Sequence, residues 1–222
     1  MRKAITVLAV VSAMLLALTA VASAESWQIH PNSVAFTTSS GELKLTSAAG
    51  DQIVCTSSTG EGQYVSSTTA EGIKLKFHGC KDGVNGISCH NGSTTGTVET
   101  TNLVAHNVWA NKHGVKTRAI LLTPDTGKHF ATFKCTIFGI GPTITLTGSI
   151  IGEVELTKPC NQLATEAHLN FESEKAGHQT LRALWNTAGA YDLTADKEGA
   201  PWTASRDVTF TIKFAENPTI TC

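Results

Sequence analysis

Past its first two dozen residues the chain alternates apolar and polar side chains with a period of two, which sends successive residues to opposite faces of an extended strand. The clearest run is Val208, Phe210, Ile212 and Phe214, set against Thr209, Thr211 and Lys213. One face of that strand is expected to be buried and the other wet. The same alternation occurs in Ile73, Leu75 and Phe77, in Ala131, Phe133, Cys135 and Ile137, and in Ile144 and Leu146 among Thr143, Thr145 and Thr147. Turn signals separate these runs at short intervals: Ser40-Gly41, Ala49-Gly50-Asp51, Thr59-Gly60, Glu71-Gly72, Asp125-Thr126-Gly127, Gly139-Ile140-Gly141-Pro142 and Ala188-Gly189. Many short strands divided by such turns predict an all-β, antiparallel fold, sandwich or barrel-like, with two packed sheets as the first expectation. Only 101–112 and 175–186 also fit a helical spacing, and Gly177 interrupts the second.

The first two dozen residues follow a different pattern. Arg2 and Lys3 precede an apolar run from Ala4 to Val21, which ends in Ala22-Ser23-Ala24. A basic start, a long apolar centre and small residues before the cut form the pattern of a cleaved secretory signal peptide. The mature chain is expected to span 25–222, secreted and extracellular, with no membrane span after cleavage. It would hold 198 residues, enough for a single domain, and would carry a formal charge of −3 once Arg2 and Lys3 leave the full chain's −1. The only candidate boundary is 157–161, and composition does not change across it. The charges are scattered, with no basic stripe of the kind that binds nucleic acid.

Export changes how the six cysteines, Cys55, Cys80, Cys89, Cys135, Cys160 and Cys222, are read. An even number in an oxidising compartment predicts three disulfides, and six cysteines allow 15 connectivities. Asp82-Gly83 and Asn85-Gly86 would fold Cys80 back towards Cys89, so these two are expected to pair. For the remainder the expectation is Cys55 with Cys135, enclosing the first pair, and Cys160 with Cys222, tethering the C-terminal end.

Several short blocks follow in a fixed order: Phe77-His78-Gly79-Cys80 with Cys89, Gly96-Thr97-Val98-Glu99-Thr100, Phe130 to Cys135, and Gly148-Ser149-Ile150-Ile151-Gly152 before Gly177-His178-Gln179. In this order the chain resembles a group of exported actinobacterial proteins for which no activity is assigned. Cys160 and Cys222 fall outside that group's pattern, so the resemblance also favours pairing them with each other. It implies no catalytic residue.

The candidate chemistry is sparse. His78, Cys80, Cys89 and His90 are zinc or copper ligand types, but the histidines lie outside a turn bracketed by cysteines that an oxidising compartment would oxidise, so no metal or cofactor is expected. Asp82 to Gly86 lacks oxygen ligands at the third and fifth positions of a calcium loop. Gly148 to Gly152 places Ser149 second, whereas a nucleophile elbow needs its serine third, and small residues here suit close packing or a bend. Two carboxylate pairs, Glu153 with Glu155 and Glu172 with Glu174, share strand faces at a spacing a glycosidase could use, although solvated strand edges produce the same spacing. Trp27, Trp109, Trp185 and Trp202 are either core residues or a platform for stacking a sugar. The Thr143, Thr145 and Thr147 ladder is read as the polar face of a strand, and Asn91-Gly92-Ser93 as a turn and formal glycosylation sequon.

No catalytic residue is assigned. The expectation is an extracellular binding or structural module whose unknown ligand is a cell-surface polysaccharide or a protein. The alternatives are a polysaccharide-acting hydrolase using a glutamate pair, and a protein inhibitor presenting the Cys80 to Cys89 turn.

Overall fold

The computed structural model describes residues 26–47, 51–174, 177–187, 189–197 and 200–222, with side chains from 200 to 206 outside the description. The expected signal segment at 1–24 therefore lies outside the described residues. The strands are β1 (Gln28–His30), β2 (Ala35–Ser40), β3 (Leu43–Ser47), β4 (Gln52–Cys55), β5 (Ser57–Tyr64), β6 (Thr69–His78), β7 (Lys81–Asp82), β8 (Cys89–His90) and β9 (Val98–Glu99). They continue with β10 (Leu103–Lys112), β11 (Val115–Pro124), β12 (His129–Cys135), β13 (Thr143–Gly148), β14 (Ile150–Leu156), β15 (Glu166–Phe171), β16 (Leu193–Lys197), β17 (Ala200–Phe214) and β18 (Thr219–Thr221). Within 101–112, strand β10 begins at Leu103, and the described part of 175–186 is irregular apart from two isolated bridges, at Gln179 and Leu184.

The sheet closes on itself, so the barrel-like form of the all-β expectation is the one realised. Antiparallel pairings run from β17 through β15, β14, β11, β10, β6, β5 and β2 and back to β17. That ring is an eight-stranded barrel. Closure removes the exposed strand edges that an open sheet must protect. A second closed circuit of short strands runs β17, β3, β4, β7, β8, β12, β13, β16 and back to β17, with β7 and β8 joined by a bridge between Lys81 and Ser88. The long strand β17 belongs to both. Residues 208–214 pair within the barrel and 200–207 within the second circuit.

The alternating pattern explains which side chains fill each ring. Phe36, Tyr64, Ile73, Leu75, Ile120, Leu122, Leu169, Phe171 and Phe210 point into the barrel around a residual cavity of about 30 Å³. Leu43, Leu45, Ile53, Phe77, Phe130, Phe133 and Leu146 fill the second circuit, and one buried apolar cluster runs through both. Gly152 permits close packing on the barrel's inner wall, because a Cβ there would lie 2.6 Å from Leu169 Cδ1 and 2.8 Å from the Phe171 ring. Residues 157–161 join β14 to β15, which are neighbours in the barrel. The small β1–β18 ribbon carries Ile29 and Ile220 into the core, next to Trp27, whose indole N–H donates to Ala119 O at 3.0 Å.

The disulfides are Cys55–Cys80, Cys89–Cys135 and Cys160–Cys222. The last pairing is the expected one, and the other two correct the expectation. Cys80 and Cys89 do face each other across the β7–β8 hairpin, but a backbone hydrogen bond from Cys89 N–H to Cys80 O joins them, at 2.9 Å. Each sulfur instead bonds to the strand on its far side. Cys89 is the register partner of Cys135, and the β4–β7 register brings Cys55 opposite Cys80, with Cα–Cα distances of 3.9 Å in both pairs. Directly opposed residues share a face, so four cysteines form one inward row across β4, the β7–β8 hairpin and β12.

Candidate functional site: the stapled hairpin tips

Strand direction places the β7–β8 and β12–β13 turns side by side at the end of the second circuit far from the barrel. Thr136 N–H donates to Ser88 O at 3.2 Å, which locks one turn to the other. In the β12–β13 turn, Ile137 and Ile140 exchange both backbone hydrogen bonds at 3.0 Å, leaving Phe138 and Gly139 as the two central residues. Their φ angles are 51° and 81°. Two positive φ values define the tight hairpin turn that suits the twist of antiparallel strands, and Asn-Gly or Gly-Gly is its usual content. Gly139 satisfies that demand without cost. Phe138 does not, because a bulky L-residue in the left-handed region strains its Cβ against the backbone by about 1–2 kcal/mol.

Among the described residues nothing packs on the strained side chain to compensate it. Phe138 is 100% exposed, Ile140 82%, Ile137 54%, and Val84 on the adjoining turn 73%. Four of the seven large hydrophobic side chains exposed among the described residues thus lie on two touching turns. The alternation had placed Ile137 inside β12, but the strand ends at Cys135 and Ile137 belongs to the turn. Beneath the tips the Cys89–Cys135 and Cys55–Cys80 bridges bind three strand pairs together. The Val84 turn is further held by Asp82 Oδ1, which accepts from the N–H groups of Val84 and Asn85 at 2.7 and 3.2 Å. This is the turn read from Asp82 to Gly86, with its carboxylate used internally.

The other candidates are dispersed. His78 Nε2 sits 3.2 Å from Thr59 Oγ1, and His90 contacts Gly92 O and Thr136 Oγ1, while the neighbouring cysteines are all oxidised. Glu153 accepts from Lys112 Nζ at 2.5 Å and from Thr117 Oγ1 at 3.0 Å; Glu172 lies 3.4 Å from the same ammonium. The hydrogen bond to Glu153 is the main reason the Lys112 pKa is raised, with both carboxylates adding to it. The acids that meet therefore come from different pairs and share one lysine. Glu155 is exposed, and Glu174 pairs at 3.9 Å with His113. Ser149 occupies the single position between β13 and β14.

Of the four tryptophans considered for stacking, Trp27, Trp109 and Trp185 have described side chains. Trp27 is buried and engaged with Ala119, so it is unavailable for stacking. Trp109 and Trp185 are half-buried and joined through their backbones at 2.8 Å, and the Lys116 ammonium lies 4.8 Å from the Trp109 ring centre. The Trp202 side chain lies outside the description. Thr143, Thr145 and Thr147 are half-buried, with Thr145 bonded to Thr132 and Thr147 to Thr194 O. Asn91 uses its amide to mimic a strand, donating to Glu99 O and accepting from Glu99 N–H. Glu99 in turn has its carboxyl held below the ordinary range, chiefly by the hydrogen bond from Lys76.

Two surface grooves accompany these features. One of about 570 Å³ runs between Ala35–Thr37, Glu61–Gln63 and Lys213–Ala215 on the barrel, and a polar one of about 440 Å³ lies beside Lys76, Glu99 and Asn91. Spacing in the sequence had given no hint of the contact between His178 Nδ1 and Asp192 Oδ2 at 3.2 Å, flanked by Arg182 at 3.9 Å. It pins the segment of Leu181 and Leu184, which cover an outer apolar patch of the barrel.

These observations define a disulfide-stapled, all-β protein of closed antiparallel rings with an apolar point at one end. Compared with protein-family models, curated proteins and solved structures, the chain matches none.

Proposed function

We propose that the protein is an exported binding module that meets its partner at the cell surface with the Phe138 tip and the adjoining Val84 turn. The observation that carries this reading is Phe138 itself, a fully exposed aromatic residue in a backbone conformation that favours Asn or Gly. Local choices that oppose folding without compensation in the fold mark functional positions. Three disulfides accord with an oxidising compartment, and the N-terminal apolar segment supplies the route to it. The test is adsorption of purified protein to cell envelopes of the producing organism. Phe138→Asn is expected to release most of the bound protein, and equal retention of wild type and variant would remove the tip from the binding surface.

A protein inhibitor is the second reading. The Val84 turn favours it, since it protrudes between two disulfides as an inhibitory loop must. A panel of secreted proteases assayed with the intact protein checks it, with Val84→Asp expected to abolish any inhibition found.

A further inference from the structure

We infer that the partner of this tip is a lipid bilayer surface, entered apex first to the depth of the headgroup boundary. This rests on the reading of the tip as the contact end.

The shape favours a surrounding medium over a matching surface. Phe138 and Ile140 stand on one convex turn and Val84 on the adjoining one, with Phe138 fully exposed. The backbone is also suited to an apolar environment, where unpaired N–H and C=O groups are costly. Ile137 and Ile140 satisfy each other, and only Phe138 and Gly139 lie beyond that closed pair. From Thr136 to Pro142 the sequence carries no charge.

Charge returns just behind the apex, first with Asp82, one residue nearer it than Lys81, whose carboxylate accepts from the Val84 and Asn85 N–H groups, and then with two lysines. Lys81 pairs with Ser88, which also accepts from Thr136, so Lys81 stands two residues behind the apex, and exposed Lys134 stands four behind it. At about 3.3 Å per residue these ammonium groups branch from the chain about 7 and 13 Å below Phe138. Interfacial segments bury their apolar faces about 5–10 Å deep, which brings both lysines to the phosphate layer. Asp51 and Lys197 share the rim, so its charge is mixed and apolar insertion carries most of the attachment. Penetration stops there, because the outward strand faces carry Lys44, Lys74, Lys76 and Thr132, unlike the apolar band of a lipid-facing barrel wall.

The experiment is co-sedimentation of the oxidised protein with vesicles of phosphatidylcholine, alone or mixed with phosphatidylglycerol. Binding to both is expected, within a few-fold of each other. Phe138→Asn and Ile140→Ser are each expected to lower partitioning about tenfold, the worth of burying one large apolar side chain. Phe138→Asn suits its turn, and an unchanged disulfide map and melting curve verify that it folds. A Phe138→Trp variant is expected to shift its emission to the blue and to be quenched by brominated lipid.

Absence of binding to either vesicle overturns the inference. If envelope adsorption still depends on Phe138 in that case, the tip reading stands with a protein or glycan partner. Self-association that Phe138→Asn abolishes would assign the tip to a second copy instead. Vesicle binding unchanged by both variants overturns inference and reading together.

Discussion

Cys80 and Cys89 are joined by a backbone hydrogen bond and not through sulfur: Cys89 N–H donates to Cys80 O at 2.9 Å, and each sulfur reaches outward to Cys55 or Cys135. The hairpin between them thus becomes the middle of a four-cysteine row, with one bridge on either side.

Peptide mapping without reduction is expected to recover the three pairs 55–80, 89–135 and 160–222. Their sequence separations of 25, 46 and 62 residues correspond to about 3.5, 4 and 4.3 kcal/mol of loop-closure stabilisation, as upper values. Against a net stability of about 5–15 kcal/mol, Cys89→Ala with Cys135→Ala should lower the thermal midpoint by many degrees. A reduced sample that melts with the oxidised one would refute this framework.

Phe138→Asn is expected to raise folding stability by about 0.5–1.5 kcal/mol while it weakens binding, because Asn tolerates positive φ where Phe is strained. Urea denaturation checks the first effect. A stability loss would mean that Phe138 contributes to packing after all.

Tyr64 donates to Asn107 Oδ1 at 2.8 Å inside the barrel, and burial pushes its phenol well above the ordinary value near 10. The folded state therefore holds this proton more tightly than the unfolded chain does. Stability is fully present below about pH 10 and falls by about 1.4 kcal/mol per unit as pH rises beyond it. Tyr64→Phe should cost about 1–3 kcal/mol at neutral pH, since it leaves the Asn107 oxygen without its donor, and should flatten the alkaline limb. Denaturant midpoints at neutral and alkaline pH, for wild type and variant, test both parts.

Lys112 lies between Glu153 and Glu172 and is partly solvated. Its removal in Lys112→Met is expected to cost no more than about 1 kcal/mol, and less at high salt, as for other surface ion pairs. If Glu153→Gln abolished a polysaccharide hydrolysis present in the wild type, the ion-pair account of these acids would fail.

Strands with one wet face were legible in the sequence. β6, β12, β13 and the second half of β17 sit where Ile73–Leu75–Phe77, Phe133, Ile144–Leu146 and Phe210–Ile212 place them. β5 was not legible, because Ser57 to Gln63 has no large apolar residue and becomes a strand only between β2 and β6. The hairpin of Cys80 and Cys89 was visible in its turn residues, but their sulfur partners depend on β4 and β12, which only the closed circuit brings alongside. The same limit hid the tip. Ile137 continues the alternation of β12, and the turn signal from Gly139 to Pro142 does not say that the strand already stops at Cys135. Convergence of Glu153 and Glu172 on Lys112 likewise needs four strands, β10, β11, β14 and β15, in register.

Sharing β17 between two rings has a consequence for assembly in time. Sixteen strands precede it in chain order, yet neither ring can close until its fifteen residues are in place. Up to that point each ring is an open sheet with two unpaired edges, and the closing contacts link residues far apart in sequence, which makes ring closure slow. Two edges on each ring must therefore be kept from other chains until the last long strand inserts.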